Sequence, residues 1–152
     1  MAKKSKLVVG RSEYINIPEW GIEGLLAKVD TGAHTSALHV EDLVRLPDGH
    51  VLFHVIVSQK PHVKRIEVRA KALKWGKVRS SSGHYTIRCF VSARAQIGPL
   101  EKEIEISLDS RDKMAYRMLL GRKALEKDFL VDVSGRHRLT GPEKSAKKRK
   151  RG

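Results

Sequence analysis

The chain has 152 residues, 40% of them hydrophobic, a length and composition typical of one globular domain with its own core. No run approaches the ~18 apolar residues of a membrane span, and the single cysteine, Cys89, excludes an intrachain disulfide, so we expect a cytoplasmic protein that contacts no membrane. The net charge of +14 excludes an acidic protein, while an aromatic fraction of only 5% argues against a folded nucleic-acid reader.

A basic N-terminal tail, residues 1–6, precedes segments that are typical of β-strands. Alternating or short apolar runs predict strands at residues 11–18, 24–29, 51–57, 66–73, 85–92 and 103–108. Turn residues lie between them, as in LPDGH at 46–50, and only RKALEKD at 122–128 has a helical pattern. Many short strands separated by turns predict one all-β domain, a barrel or sandwich, over residues 7–140.

The last residues form a second basic segment. KSAKKRKRG at 144–152 holds six basic residues and no acid, and with Lys3, Lys4 and Lys6 it supplies nine of the fourteen net charges, which leaves +5 for residues 7–143. We interpret 141–152 as a disordered basic tail. Salt-sensitive contact with a polyanion and a solubilising end without a specific partner both stay open.

KVDTGAHTSAL at 28–38 places an acid, a hydroxyl and a glycine directly after the apolar run GLLAKV. One interpretation is a structural turn, for which Asp and Gly are ordinary residues. The other is peptide hydrolysis, in which an ionised Asp deprotonates water and a protonated Asp polarises the carbonyl group. Two carboxyl groups held close together share one proton. Asp30 therefore predicts a catalytic site only if a second acid is available.

The chain resembles the retropepsin-like aspartic endopeptidases, a bacterial family also named ATP-dependent zinc proteases. The resemblance rests on D-T-G-A at Asp30–Ala33 and on MLLGRKAL at 118–125, which matches the apolar-apolar-Gly-Arg motif behind the catalytic loop. The segments VRSSSGH (78–84), SRDKMAYR (110–117) and FLVD (129–132) extend it over residues 14–133. It implies a single-domain, closed retropepsin-like β-barrel with one short C-terminal helix.

The resemblance also implies roles for individual residues. Asp30, Thr31 and Gly32 would form the catalytic loop, where the Thr31 hydroxyl joins two loops and Gly32 permits a tight turn. Substrate-binding residues would come from the loop, a flap hairpin and the later motif: Ala33, Arg79, Ser80, Ser81, Ser82, Gly83, Leu120, Gly121 and Arg122. An ordinary hairpin turn is the alternative interpretation of residues 79–83.

One position departs from the retroviral pattern. Many of those enzymes carry an acid directly after D-T-G-A, paired with the Arg of the later motif, but this chain has His34 there. Arg122 therefore needs another partner, and Asp132 and Asp112 are the alternatives.

The second catalytic acid is missing from the chain. The nearest segments, LDSR at 108–111 and DVSG at 132–135, are not D-T-G or D-S-G, and a two-lobed enzyme needs about twice this length. The second acid is therefore predicted to be Asp30 of another copy, in a twofold homodimer. The resemblance further implies a peptide or protein substrate and a partner, either an ATP-grasp glutamate ligase or its acidic ribosomal-protein product.

The family name mentions zinc and ATP, but the sequence has no H-E-x-x-H, no Cys-x-x-Cys and no G-x-x-x-x-G-K-[ST]. We therefore expect no metal and no other cofactor. The predicted function is a homodimeric aspartic endopeptidase. Two alternatives remain: a non-catalytic binding module that regulates a glutamate-ligase and ribosomal-protein modification system, and a zinc-dependent peptidase.

Overall fold

The computed structural model describes residues 5–58, 64–79, 83–110 and 116–140, which contain twelve strands, a 3-10 helix at Pro18–Trp20 and one α-helix. The strands are β1 (Leu7–Val9), β2 (Ser12–Ile17), β3 (Ile22–Val29), β4 (Ser36–His39), β5 (Glu41–Arg45), β6 (His50–Ser58), β7 (Lys64–Lys71), β8 (Lys74–Arg79), β9 (Tyr85–Ile97), β10 (Leu100–Asp109), β11 (Met118–Leu120) and β12 (Phe129–Val131). The helix α1 is Arg122–Leu125. A helix of the length and apolarity needed to span a bilayer does not occur in these ranges.

Six strands close into a barrel in the order β10-β4-β11-β3-β2-β9, because β9 pairs back onto β10. The closed all-β barrel predicted from the sequence is therefore confirmed. The closure is uneven. β9 and β10 pair over nine residue positions, whereas β2 and β9 are joined by one pair, Asn16 with Gln96. β8 adds to the outer edge of β9 and forms a hairpin with it.

The strands β5, β6 and β7 form a separate three-stranded antiparallel sheet, in that order. Its inner face buries Val51, Phe53 and Val55, and the Phe53 ring meets Trp20 edge-on with the ring centroids 5.6 Å apart. This apolar face packs the sheet against the wall of the barrel near β3.

The barrel interior is filled by the alternate side chains of its strands. Along β9 the residues Cys89, Val91, Ala93, Ala95 and Ile97 are all fully buried, as a strand with one face on a core requires. Each large aliphatic side chain buried in this way contributes roughly 1.5–3 kcal/mol of transfer free energy. Burial of these alternating apolar side chains is thus the driving force that closes the barrel.

Several elements differ from the sequence-based predictions. The helix predicted at 122–128 ends at Leu125, because Glu126 leaves the helical region (φ −56°, ψ 145°) and Lys127 has a φ of +79°. β7 ends at Lys71, two residues before the predicted end, because the Leu73 amide already bonds the Phe90 carbonyl. Six strands were not predicted, and each is short or lacks apolar alternation: β1, β4, β5, β8, β11 and β12.

A buried carboxylate fastens the C-terminal segment to the barrel. Glu13 is fully buried, and its two oxygens accept hydrogen bonds from the amides of Gly10, Leu139 and Thr140 and from the Thr140 hydroxyl, at 2.7–3.0 Å. The stacked rings of Tyr14 and His137, 4.8 Å apart, lie beside it. We call residues 133–140 the strap. The strap supplies three of the four donors that make burial of this charge tolerable.

We predict that Glu13→Gln destabilises the fold by about 3 kcal/mol, because in either orientation the amide NH₂ group would face donors. Urea unfolding followed by circular dichroism measures the change. The matched control is Glu23→Gln on the exposed face of β3, for which we expect no change. Equal unfolding midpoints for the two variants would show that the strap does not depend on this charge.

Candidate active site

The site is built around a strand inserted between two others. β11 lies between β3 and β4, parallel to the first and antiparallel to the second. The loop from residue 30 to 35, which connects β3 to β4, therefore passes over the end of β11. The amide of Asp30 donates to the carbonyl of Leu120 at 2.9 Å, so the pairing of β3 with β11 continues into the loop.

The Asp30 carboxyl group is oriented by its own loop. Its Oδ1 accepts the Gly32 amide at 3.0 Å, and the Ala33 amide donates to the Asp30 carbonyl at 3.2 Å. Asp30 is half-buried, while Thr31 and Gly32 are exposed. The two interpretations of D-T-G are thus compatible in this geometry, because the turn presents the carboxyl group at the protomer surface.

Gly121 is the point of closest approach behind the loop. A Cβ at this position would lie 2.6 Å from the Thr35 carbonyl carbon and 2.8 Å from its oxygen, closer than real Cβ contacts allow. The Gly121 amide donates to Ser36 Oγ at 3.1 Å, and the Ser107 hydroxyl donates to the Ser36 carbonyl at 3.3 Å. The loop and β11 are therefore in backbone contact, which only glycine permits here.

The start of α1 holds the other side of the loop. The amides of Arg122 and Lys123 donate to the carbonyls of Ala33 and His34 at 2.8 and 3.0 Å. The guanidinium group of Arg122 donates to the Thr31 carbonyl at 3.1 Å. Arg122 is thus a loop-supporting residue, bonded through the backbone of the loop rather than through a carboxylate.

Of the two acids considered as partners of Arg122, Asp132 is bonded elsewhere. Its carboxylate accepts the Ser134 amide and hydroxyl at 2.9 and 2.6 Å and pairs with Arg138 at 3.2 Å. The two Ser134 hydrogen bonds hold the pKa of Asp132 below its usual value. Asp112, the second alternative, lies outside the described residues.

The other site residues predicted from the sequence fall into two groups. Ala33 is half-buried in the loop, whereas Leu120 and Gly121 are buried behind it and face no solvent in the protomer. Arg79 ends β8 and Gly83 lies two residues before β9, the strand that pairs antiparallel with β8. Ser80, Ser81 and Ser82 lie outside the described residues. Among the hydrogen bonds of the described residues, none links Arg79 or Gly83 to the loop of Asp30.

Two supporting interactions were missed by the sequence-based analysis. Ser36 is buried and bonds Gly121, but a serine in T-S-A has no pattern that marks it as structural. Lys123 pairs with Glu105 at 3.0 Å and ties α1 to β10, and this ammonium group lowers the pKa of Glu105. A salt bridge between residues eighteen positions apart in the sequence leaves no local pattern that would predict it.

A zinc site does not fit the side chains that the structure describes. His39, His50 and His54 each lie near a different carboxylate, those of Glu41, Asp48 and Asp42 respectively, at 3.2–3.6 Å. In the described ranges no three His, Cys, Asp or Glu side chains converge as metal ligands. A structural or catalytic zinc ion takes three or four such ligands from the protein, so no step of the chemistry below is assigned to a metal.

The chain matches a family model over most of its length. A family model described as RimB-like, the retropepsin-like aspartic endopeptidase RimB, matches residues 8–141. A crystal structure of a Legionella pneumophila protein of unknown function superimposes with a TM-score of 0.72, at 24% identity, over 90% of this chain and all of that one. At this identity the likeness supports the fold alone.

Two curated relatives are each named probable alpha-L-glutamate ligase. The protein of Parasynechococcus marenigrum is 34% identical over 137 residues and that of Shewanella halifaxensis 33% identical over 135 residues, which is 88% and 86% of this chain. The chain spans only 29% of the length of each relative. Both relatives therefore contain long regions that have no counterpart here.

We predict that Gly121→Ala displaces the loop and destabilises the protein by about 1–3 kcal/mol, because the added methyl group overlaps the Thr35 backbone. Hydrogen exchange of the amides of residues 31–36 should accelerate. The control is Gly76→Ala, where the new Cβ meets only the Phe90 ring at 3.2 Å, which can move. Unchanged hydrogen-exchange protection of residues 31–36 in Gly121→Ala would contradict the expected overlap with the Thr35 backbone.

Proposed function

This chain belongs to the RimB-like family of retropepsin-like aspartic endopeptidases, and on that premise we propose that it hydrolyses peptide bonds as a homodimer. Asp30 of each protomer supplies one carboxyl group of the catalytic pair. The observation that carries the proposal is a single, oriented and solvent-accessible Asp30, backed by Gly121 and unaccompanied by a second D-T-G in the sequence.

The geometry of the loop suits this chemistry. The Gly32 amide donates to Oδ1 of Asp30, and no described residue donates to Oδ2. The Oδ2 atom is therefore available to water or to a symmetry-related carboxyl group. A pair of carboxyl groups held together by a twofold axis shares one proton, so one acid and one base are present at once. The Thr31 side chain projects from the exposed part of the same loop, where a second copy can contact it.

The reaction follows from the shared proton. The ionised Asp30 takes a proton from water, whose oxygen attacks the scissile carbonyl carbon, while the protonated Asp30 of the other copy donates to the carbonyl oxygen. The tetrahedral intermediate collapses as its C–N bond breaks and the leaving nitrogen receives a proton. The products are a carboxylic acid and an amine, and the carboxyl pair regains its single proton.

A surface for the second copy lies along β1 and β12. Val8 and Leu130 are opposite each other in register and are 44% and 57% exposed, and Val133 is 71% exposed. Arg11 connects this row to the site. Its guanidinium group donates to the Val133 carbonyl, and its own carbonyl accepts the amide of Val29, the residue before Asp30. Exposed apolar side chains in a row are typical of an interface.

The relatives point to a biological setting. Because two of them are named glutamate ligases and contain a region like this chain, we propose that the enzyme works with such a ligase. The substrate would be the ligase itself or its acidic ribosomal-protein product. The natural cleavage site then lies in or beside a glutamate-rich segment.

We predict that Asp30→Asn lowers kcat/KM for peptide cleavage by about 10²–10⁴-fold while the fold and the dimer persist, because the amide preserves shape but cannot act as acid or base. The wild-type pH profile should be bell-shaped: the acid is lost when both carboxyl groups ionise and the base when both are protonated. Initial rates on a glutamate-rich peptide library measure both effects.

A strong chelator supplies the control, and we expect equal wild-type rates with and without it. Full activity of the Asn variant, or loss with chelator that added zinc restores, would refute the aspartic mechanism. Absence of cleavage by a correctly folded wild-type dimer over a broad library would favour the binding-module alternative.

We predict that Leu130→Arg weakens dimerisation by at least about tenfold, because a charged side chain replaces an apolar one in the shared row. Sedimentation velocity over a micromolar concentration series measures it, and peptidase activity should fall in parallel. Val44→Arg, at an apolar residue that is 49% exposed on the other sheet, is the matched control. Unchanged association of Leu130→Arg would place the interface elsewhere.

A further inference from the structure

The barrel has a weak seam where β2 meets β9. In the described part of the chain, a single backbone pair, Asn16 with Gln96, joins these two strands. The ladder stops on both sides of this pair. Pro18 has no N–H group to donate, and Gly98, with a φ of +63°, turns the chain towards β10. The strand edges on either side of the pair are therefore not joined by the sheet.

Two adjoining clefts lie where the ladder is missing. Their volumes are about 470 Å³ and about 340 Å³, within the size range of ligand sites in proteins. The first cleft extends to Glu23 on β3, and the second extends to Thr140 at the end of the strap. Asn16 and Gln96 line both clefts, so a ligand that fills the two clefts has to pass over this pair.

The side-chain amides of Asn16 and Gln96 keep hydrogen-bond donors for a ligand. Asn16 Oδ1 accepts the Gly24 amide at 2.8 Å, and Asn16 Nδ2 donates to Gln96 Oε1 at 3.3 Å. These two bonds use both side-chain oxygens but only one of the four side-chain N–H groups. The hydrogen bonds among the described residues do not use the other three. Both side chains are half-buried, so a carbonyl oxygen is the complementary ligand group.

The charge of the clefts selects against anions. Of the described residues that line them, only Glu23 is charged, and no Lys or Arg is included. The Glu23 side chain is exposed, and within the described ranges it forms no ion pair. The chain as a whole carries a net charge of +14, so this region differs in sign from the molecule around it. A ligand with carbonyl oxygens and one positive group matches both features.

We propose that the two clefts bind an extended segment of a partner protein. The backbone carbonyl groups of this segment accept hydrogen bonds from Asn16 and Gln96, and one of its Lys or Arg side chains pairs with Glu23. A peptide suits the seam better than a saccharide does, because an extended backbone can also bond to strand edges that the sheet leaves unjoined. A sugar ring would need an open aromatic face, but the Tyr14 ring is already stacked on His137.

The proposed site is separate from the catalytic loop. Gly24, which bonds Asn16, lies six residues before Asp30, and six residues of a strand span roughly 20 Å. The inference therefore goes beyond the proposed function, because binding at the seam does not depend on cleavage at Asp30.

The composition of the chain allows a direct test by nitrogen-15 NMR. The sequence contains one Asn and two Gln, so only three side-chain amide groups give signals. Two of them belong to Asn16 and Gln96, and the third belongs to Gln59, which follows β6 in the other sheet. The probe is the blocked peptide acetyl-AAKAAA-amide, titrated into the full chain carrying Asp30→Asn. This variant keeps the peptide intact whether or not the wild type is a peptidase.

The Asn16 and Gln96 signals should shift saturably, while those of Gln59 stay in place. Gln96→Met, which keeps the side-chain volume but removes the amide, should weaken binding about three- to tenfold, and Gln59→Met is the matched control.

A second peptide, acetyl-AAEAAA-amide, tests the role of Glu23. It should bind at least about fivefold more weakly than the Lys peptide, because repulsion replaces an ion pair. The net charge of the chain favours the Glu peptide, so a preference for the Lys peptide can come only from the local site.

Four outcomes would overturn the proposal. The absence of shifts at Asn16 and Gln96, or unchanged affinity in Gln96→Met, would exclude the contact with the side-chain amides. Equal affinity for the Lys and Glu peptides would exclude pairing with Glu23. Larger shifts with maltohexaose would assign the clefts to a saccharide. Shifts that arise only after deletion of residues 144–152 would assign them to the basic segment of the chain itself.

Discussion

The insertion of β11 between β3 and β4 is the constraint on which the site depends. It supplies the carbonyl that fixes the Asp30 amide, and it brings Gly121 into backbone contact with Thr35. These groups come from parts of the sequence about ninety residues apart, so the loop acquires its geometry only when the barrel is nearly complete. The acid is local in sequence, but its orientation is a long-range property of the fold.

This contrast between a locally encoded acid and its long-range orientation explains which features the sequence could predict. D-T-G and L-L-G-R indicated both the loop and its support, because turns and close contacts require particular small residues. The long strands were found from apolar periodicity. β4 was missed because all four of its residues are buried, which removes the alternation. Glu13 was missed because a charged side chain normally indicates the surface, and the groups that permit its burial lie 126 and 127 residues away.

The protomer leaves several groups exposed that folding normally covers. The Asp30 loop and the apolar row on β1 and β12 lie on different elements and present different chemistries, a carboxyl group and hydrocarbon. The homodimer proposed above would cover both.

The hydrogen bonds between Glu13 and the strap have a consequence for biosynthesis. A ribosome makes the chain from its N-terminus, so Glu13 emerges early and the amides of Leu139 and Thr140 emerge more than a hundred residues later. Until then the carboxylate lacks most of its donors and stays hydrated, because burying it without them is costly. Burial of Glu13 in β2 therefore has to await synthesis of the strap, because a nascent chain that stops before residue 139 lacks three of the four donors to this carboxylate.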